Sequence, residues 1–303
     1  MERNSVKAAC RSVTRLNIGA HISLGDKPRK TVELAAKSGL RSMQIFASSP
    51  GAWKPPIVRP QLNHEFREAR EEFGISPVFI HAIYLINLAS ADPLLLQRSK
   101  SSLIATLHAG VGLGASGVIT HIGSHAGRGF PAVAAGVSST LVEILRQTPD
   151  DIDLILENSA GPGGIIGSTC EELGDLIKGA GSPGRLKIAL DTAHLFAAGW
   201  DLRDAAAVRT LVCEVERHVS LDRLVVLHAN DSARPCGSRR DRHATIGEGH
   251  IGLEGFRNVV KEEALRSVPW ILETPALDRR AEEANALQVL AAQALELEAL
   301  HGS

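Results

Sequence analysis

The stretch GSRRDRHATIGEGHIG, residues 237–252, sets Asp241 and His243 two positions apart. In an extended chain an i, i+2 pair points both side chains the same way, a geometry suited to gripping one ion. The run is too rich in glycine for a helix and too polar for a buried strand. Taken alone, a charged and solvated turn explains it as well. The acids and histidines elsewhere change the balance. Six apolar runs in succession, PVFIHA, GVITHI, IDLILEN, LKIALDT, RLVVLHA and PWILET, close on His81, His121, Glu157, Asp191, His228 and Glu273. Any one of these would ordinarily be a hydrogen-bonded polar group. Six in a row point to a shared site. Imidazoles and carboxylates without thiolates suit zinc or a similar borderline metal, in a catalytic rather than a structural role. His194 stands three residues after Asp191, just past the strand. It is expected to point away from the Asp191 side and to serve, with Asp241 and His243, a separate position. Nine ligands exceed one ion; three ions with one bridging carboxylate account for them. Three divalent ions against four carboxylates leave the site net positive, which would attract a phosphodiester and stabilise its transition state.

These residues need a scaffold that brings distant strand ends together. Strand patterns fall at 16–22, 42–47, 77–82, 117–122, 152–158, 186–192, 223–229 and 269–274. Most are continuous apolar runs, as expected for parallel strands covered on both faces. Helical patterns separate them. TVELAAKSG closes on Gly39, a C-cap signal, and the helix after the third strand begins with Asp92 as N-cap and Pro93 at its first position. Strict alternation repeated eight times predicts a single-domain TIM (β/α)8 barrel over residues 16–303, with 1–15 as a flexible extension or, alternatively, a transit peptide. In such barrels chemistry gathers at the C-terminal ends of the strands, where the six residues fall.

Composition narrows the classes further. The chain has 303 residues, 44% of them hydrophobic, and a formal net charge of -1. No global positive field advertises nucleic acid, so phosphate contacts must be local. Arg234, Arg239, Arg240 and Arg242 flank the Asp241–His243 pair and could supply them. The four cysteines, Cys10, Cys170, Cys213 and Cys236, are far apart. That spacing reads as reduced thiols in a cytoplasmic protein and excludes a thiolate zinc site. No apolar run approaches a membrane span.

HAIYLINLA (81–89), LENSAGPGG (156–164), LDTAHLFAAGWD (190–201), HANDS (228–232) and the 237–252 stretch resemble endonuclease IV, the zinc-dependent family of AP endonucleases. The resemblance runs in order from about Ile18 to Glu273. It implies three Zn2+ per chain: His81, His121 and Glu157 on one, Glu157 bridging to a second held by Asp191, His228 and Glu273, and His194, Asp241 and His243 on the third. Glu157 and Glu273 are then the catalytic candidates. The implied reaction is cleavage of double-stranded DNA 5′ to an abasic site, leaving a 3′-hydroxyl and a 5′-deoxyribose phosphate, with trimming of blocked 3′ ends, by a monomer. Tyr84 and Leu85 match positions that wedge into DNA, and Arg239 and Arg242 are the other expected DNA contacts. The chain also departs from the family. Gly51 stands where the loop after strand two commonly has an arginine. Ala82 replaces an acid beside the first histidine, and Ala193, Trp200 and His250 replace a cysteine, a tyrosine and an asparagine. Two other functions compete: a sugar isomerase or epimerase on the same barrel, which would want a lysine at the mouth, and a lesion-binding protein without catalysis. His21 and His125 are expected to hydrogen-bond near the site, His64, His108, His218 and His301 to sit on the surface, and Asn158 and Asn230 to orient ligands.

Overall fold

The computed structural model describes residues 15–56, 59–274 and 279–301. Apart from Arg15, the expected N-terminal extension lies outside the described residues. Among the described residues, ten strands and ten helices follow in chain order: β1 (Ile18–His21), α1 (Pro28–Lys37), β2 (Ser42–Phe46), α2 (Pro60–Glu72), β3 (Val78–His81), α3 (Pro93–Leu113), β4 (Gly117–Thr120), α4 (Phe130–Arg146), β5 (Asp153–Glu157), α5 (Cys170–Gly179) and β6 (Leu186–Asp191). Then come α6 (Thr192–Ala198), α7 (Ala205–His218), β7 (Leu224–His228), β8 (Asp231–Ser232), β9 (His243–Ala244), α8 (Gly252–Lys261), α9 (Glu263–Arg266), β10 (Trp270–Leu272) and α10 (Arg280–His301). Eight parallel strands close into a barrel in the order β1, β10, β7, β6, β5, β4, β3, β2. The eight strands predicted from apolar runs are these eight. The short helix α6 and the antiparallel pair β8–β9, both inside connections, carry no sequence pattern long enough to announce them.

Local chemistry sets the element ends. Asp92 caps α3, its carboxylate accepting from Leu94 N–H at 2.8 Å, and Gly114 ends the same helix in the left-handed region at φ 65°. Inside the barrel, Phe79, Ile119, Ile155, Ala189, Val226 and Ile271 form one buried apolar layer. Burial of an aliphatic or aromatic side chain of this size contributes about 1.5–3 kcal/mol, so the layer is a firm floor. Between β1 and β2 the paired chains approach too closely for a side chain: a Cβ on Gly19 would stand 2.3 Å from the Ser42 carbonyl oxygen.

Candidate metal centre

Each residue of the apolar floor is followed two positions later by one of the predicted ligands: Phe79 by His81, Ile119 by His121, Ile155 by Glu157, Ala189 by Asp191, Val226 by His228 and Ile271 by Glu273. Period two keeps both members of each pair on the inner face, so the six polar side chains form the layer above the floor. Register reinforces this, with Asp191 directly beside His228 across β6 and β7. His121 and Glu273 lie one residue beyond the ends of β4 and β10 and keep the inward direction.

Three groups result, each with its donor atoms within 4.8 Å of one another: His81, His121 and Glu157; Glu157, Asp191, His228 and Glu273; and Asp191, His194 and His243. Glu157 Oε2 lies 3.2 Å from His81 Nε2 and 3.5 Å from His121 Nε2, while its Oε1 lies 3.0 Å from His228 Nδ1. One buried carboxylate thus faces two groups. Asp241 adjoins the third group, with Oδ2 3.3 Å from His194 Nε2 and Oδ1 3.2 Å from His243 Nε2.

Two expectations are corrected here. His194 does not point away from Asp191. Its Nδ1 lies 4.0 Å from Asp191 Oδ1, and its backbone N–H donates to that oxygen at 2.8 Å. The chain turns into α6 immediately after Asp191, which serves as the helix N-cap, so residue 194 returns to the cap's own side. Asp191 is therefore shared by two groups, as Glu157 is, where a single bridging carboxylate was expected.

Hydrogen bonds to the far nitrogen of each ring decide which nitrogen faces inward. The Ala82 carbonyl can only accept, so His81 donates through Nδ1 (2.7 Å) and presents Nε2. The missing acid at position 82 is thereby replaced by that residue's own backbone. His194 donates through Nδ1 to the Asn158 carbonyl at 3.0 Å and likewise presents Nε2. His228 is reversed. Its Nε2 donates to Gln44 Oε1 at 2.8 Å, leaving Nδ1 toward Glu157, Asp191 and Glu273. The Gln44 amide is fixed in turn, because its Nε2 donates to Glu273 Oε1 at 2.5 Å and to His21 Nδ1 at 2.8 Å. Asn230 Nδ2 donates to Asp191 Oδ2 (2.6 Å) and Glu273 Oε2 (3.3 Å), and Asn158 Oδ1 accepts from Asp191 N–H (2.6 Å). Gln44 was missed in the sequence because strand two ends on no metal-capable residue.

This arrangement asks for cations. Burial opposes charge on His228, but Glu273 and Glu157 outweigh it and push its pKa up to about 9. His243 behaves alike: burial is overcome by Asp241 and Asp191, again to about 9. Glu157 and Glu273 are held well below the usual carboxylate range; burial disfavours their charge, and the surrounding imidazoles more than restore it. His121, with weaker carboxylate contacts, is pushed down by burial. His243 Nε2 is buried, and the polar atom it faces is Asp241 Oδ1 at 3.2 Å. Protons or metal ions can satisfy these atoms; imidazole and carboxylate donors at this density suit metal ions.

A cavity of about 460 Å³ opens over the groups, with Tyr84 and Arg242 on its wall. Tyr84 is 60% exposed and stacks edge-on against Phe46 and His81. Leu85 is half-buried and packs on the hydrophobic core, so it presents less of itself than Tyr84. Arg234, Arg239 and Arg240 are exposed on the same connection, and Gly51 lies beside Tyr84, whose N–H donates to the Pro50 carbonyl at 3.0 Å. His21 hydrogen-bonds Gln44 and approaches Glu273, whereas His125 accepts from Gly129 N–H outside the groups. His64 and His108 lie on exposed helix surfaces, His218 pairs with Glu214, and the side chain of His301 lies outside the described residues.

The chain matches the family of xylose isomerase-like TIM barrels over residues 32–293. A "probable endonuclease 4" of Halorhodospira halophila is 41% identical over 86% of this chain and 88% of its own. Another, from Methanoculleus marisnigri, is 37% identical over 90% of this chain and 97% of its own. The crystal structure of endonuclease IV from Thermus thermophilus superposes with a TM-score of 0.80 at 33% identity, covering 91% of this chain and 99% of that one. A D-tagatose 3-epimerase-like protein, at TM-score 0.71 and 19% identity, shares the fold.

Proposed function

We propose that this chain, which belongs to the endonuclease 4 family within the xylose isomerase-like TIM barrels, is a DNA-repair endonuclease that binds three zinc ions and cuts the phosphodiester 5′ to an abasic nucleotide. The observation that carries this is the convergence of eight side chains in three groups, with Glu157 and Asp191 each shared between two of them and Asp241 adjoining the third, above one apolar floor. His81, His121 and Glu157 would hold one ion, Glu157, Asp191, His228 and Glu273 a second, and His194, Asp241 and His243, with Asp191 at their edge, the third. Bound zinc would supply Lewis acidity toward the phosphate oxygens and lower the pKa of water near the scissile bond.

The chain's own groups do the rest. Glu157 and Glu273, kept ionised by their neighbours, would help hold the ions and stand where they can take the proton of the attacking water. Gln44 and Asn230 hold the two oxygens of Glu273, so that carboxylate cannot rotate away. Arg242 on the cavity wall and the exposed Arg239 can contact the phosphates flanking the lesion. Tyr84 offers a ring at the mouth for the space an abasic site leaves in the stack. The products would be a 3′-hydroxyl and a 5′-deoxyribose phosphate, and the same centre would trim blocked 3′ ends. No helix among the described residues is long and apolar enough to cross a membrane. We place the enzyme in the cytoplasm, acting as a monomer.

Incubation with an abasic duplex should give strand cleavage on the 5′ side. Turnover of a ketose instead would favour an epimerase, and tight lesion binding without cleavage would favour a sensor. Among the described residues, the cavity lining contains no lysine, against the epimerase.

Two substitutions probe the parts. Gln44→Met keeps the volume but removes both the acceptor for His228 and the donor to Glu273. Zinc affinity, read by competition with a chelating indicator, should weaken about 10- to 100-fold, with far-UV circular dichroism of the metal-free protein unchanged. Equal affinity in the two proteins would remove Gln44 from the design. Gly51→Arg is sterically open, since a Cβ there meets nothing within 4 Å. One new charged contact should tighten binding of abasic duplex roughly 10-fold. Unchanged or weaker binding in a titration would show that the loop faces elsewhere.

A further inference from the structure

The connection that carries Asp241 and His243 is wrapped around a carboxylate that belongs to none of the three groups. Asp231 is fully buried. Its Oδ1 accepts from the backbone N–H groups of Ser232 at 2.7 Å and Ile251 at 2.9 Å, and its Oδ2 from those of Gly247 at 2.9 Å, Gly249 at 3.0 Å and Gly252 at 3.1 Å. A carboxylate so deep is costly unless its lone pairs are filled, and five amide donors fill them. Ile251 and Gly252 open α8, whose N-terminal dipole adds to the attraction.

We propose that Asp231 is a positioning residue for the third zinc ion: it closes the 237–252 connection into the one shape that aims Asp241 and His243 at His194. This rests on the three-zinc reading. The upstream end of the connection is tied to α6, the helix that bears His194, by Gly237 N–H to the Phe196 carbonyl and Arg239 N–H to the Ala197 carbonyl, both 2.9 Å. The downstream end is tied by Asp231 and by the buried Glu283, which accepts from Ile246 N–H at 2.9 Å and Thr274 Oγ1 at 2.7 Å. Asp241 and His243 lie between the two ties. The β8–β9 ladder joins the carboxylate to the ligands directly, pairing Ser232 with His243. The glycine-rich sequence GEGHIG is the requirement of this wrap. A Cβ on Gly249 would stand 2.3 Å from Asp231 Oδ1 and 2.5 Å from the Ser232 carbonyl oxygen. No phosphate cradle is needed to explain the motif.

The test is zinc binding by the full chain, measured as ions retained per chain and as stepwise affinity against a chelating indicator. In Asp231→Asn an amide replaces one acceptor with a donor that faces N–H groups. The variant should keep two ions at their original affinity and bind the third about 10- to 100-fold more weakly, with excess zinc restoring it. Gly249→Ala leaves the carboxylate in place and forces the wrap open, and it should give the same selective loss; it decides the matter if Asp231→Asn does not fold. Three ions at unchanged affinity in the variant would overturn the proposal. Equal weakening of all three ions would overturn it too, because a general support of the barrel would act that way. Fewer than three ions in the unsubstituted protein would sink the three-zinc reading itself, and the inference with it.

Discussion

Glu157→Gln is expected to lower incision of abasic duplex by at least roughly 10²- to 10³-fold, the largest loss of any single substitution. Glutamine keeps the shape of the side chain but removes its charge and turns one oxygen into a donor. The original carboxylate faces His81 and His121 through one oxygen and His228 through the other. An NH2 group cannot face a metal ion, so one of the two proposed ions that share Glu157 loses its ligand outright and the other keeps only a neutral, weaker oxygen. The barrel should survive. Glu157 stands above the apolar floor, and the strands below it are joined by backbone pairing that the change leaves alone. Far-UV circular dichroism should be unchanged while gel-based nicking falls toward background. His121→Ala should act the same way through one ion. Rates near those of the unsubstituted enzyme would remove Glu157 from the centre.

Chelation should abolish incision altogether and also expose a pH dependence that the loaded protein lacks. In the metal-free protein the imidazoles of His228 and His243 pair with carboxylates, and both pKa values rise from 6.5 to about 9. A raised folded-state pKa gives stability that is fully present below 6.5 and is lost as pH rises through about 9. The carboxylates have the opposite sign. Glu157 and Glu273 lie well below their ordinary 4.5, so their contribution is present above 4.5 and fades as pH falls. The melting temperature of chelated protein should therefore peak between about 4.5 and 6.5 and decline toward pH 9. Zinc-loaded protein should hold its melting temperature across the upper window, because the ions take the place of the protons. Parallel curves for the two forms would mean that the nine side chains hold no metal.

Much of this was legible in the sequence for a simple reason. Strands buried on both faces are long apolar runs, and an apolar run that ends on a histidine or carboxylate announces a barrel mouth. That reading located His81, His121, Glu157, Asp191, His228 and Glu273 without any knowledge of the tertiary fold. It reached Asp241 and His243 only once the six strand-end residues had made a metal site the better reading of that extended pair. It mistook the direction of His194 because strand geometry was carried three residues too far, across the point where Asp191 becomes a helix cap. Gln44 and Asp231 stayed out of sight for a different cause. Their partners are set by three-dimensional neighbours: an imidazole from β7 for the one, and amides 16 to 21 residues downstream for most of the other's bonds. An amide inside a strand, or an acid in a polar loop, has no periodic signature. The family resemblance supplied what spacing could not, namely the assignment of ligands to particular ions and the lesion. Even so, it did not indicate that both Glu157 and Asp191 sit between two groups.

The most direct test is an anomalous difference map at the zinc absorption edge, from crystals of protein loaded with zinc. The account predicts three peaks: one between His81, His121 and Glu157, one between Glu157, Asp191, His228 and Glu273, and one between His194, Asp241 and His243. A map with no density at the strand ends, or with peaks elsewhere on the molecule, would contradict it.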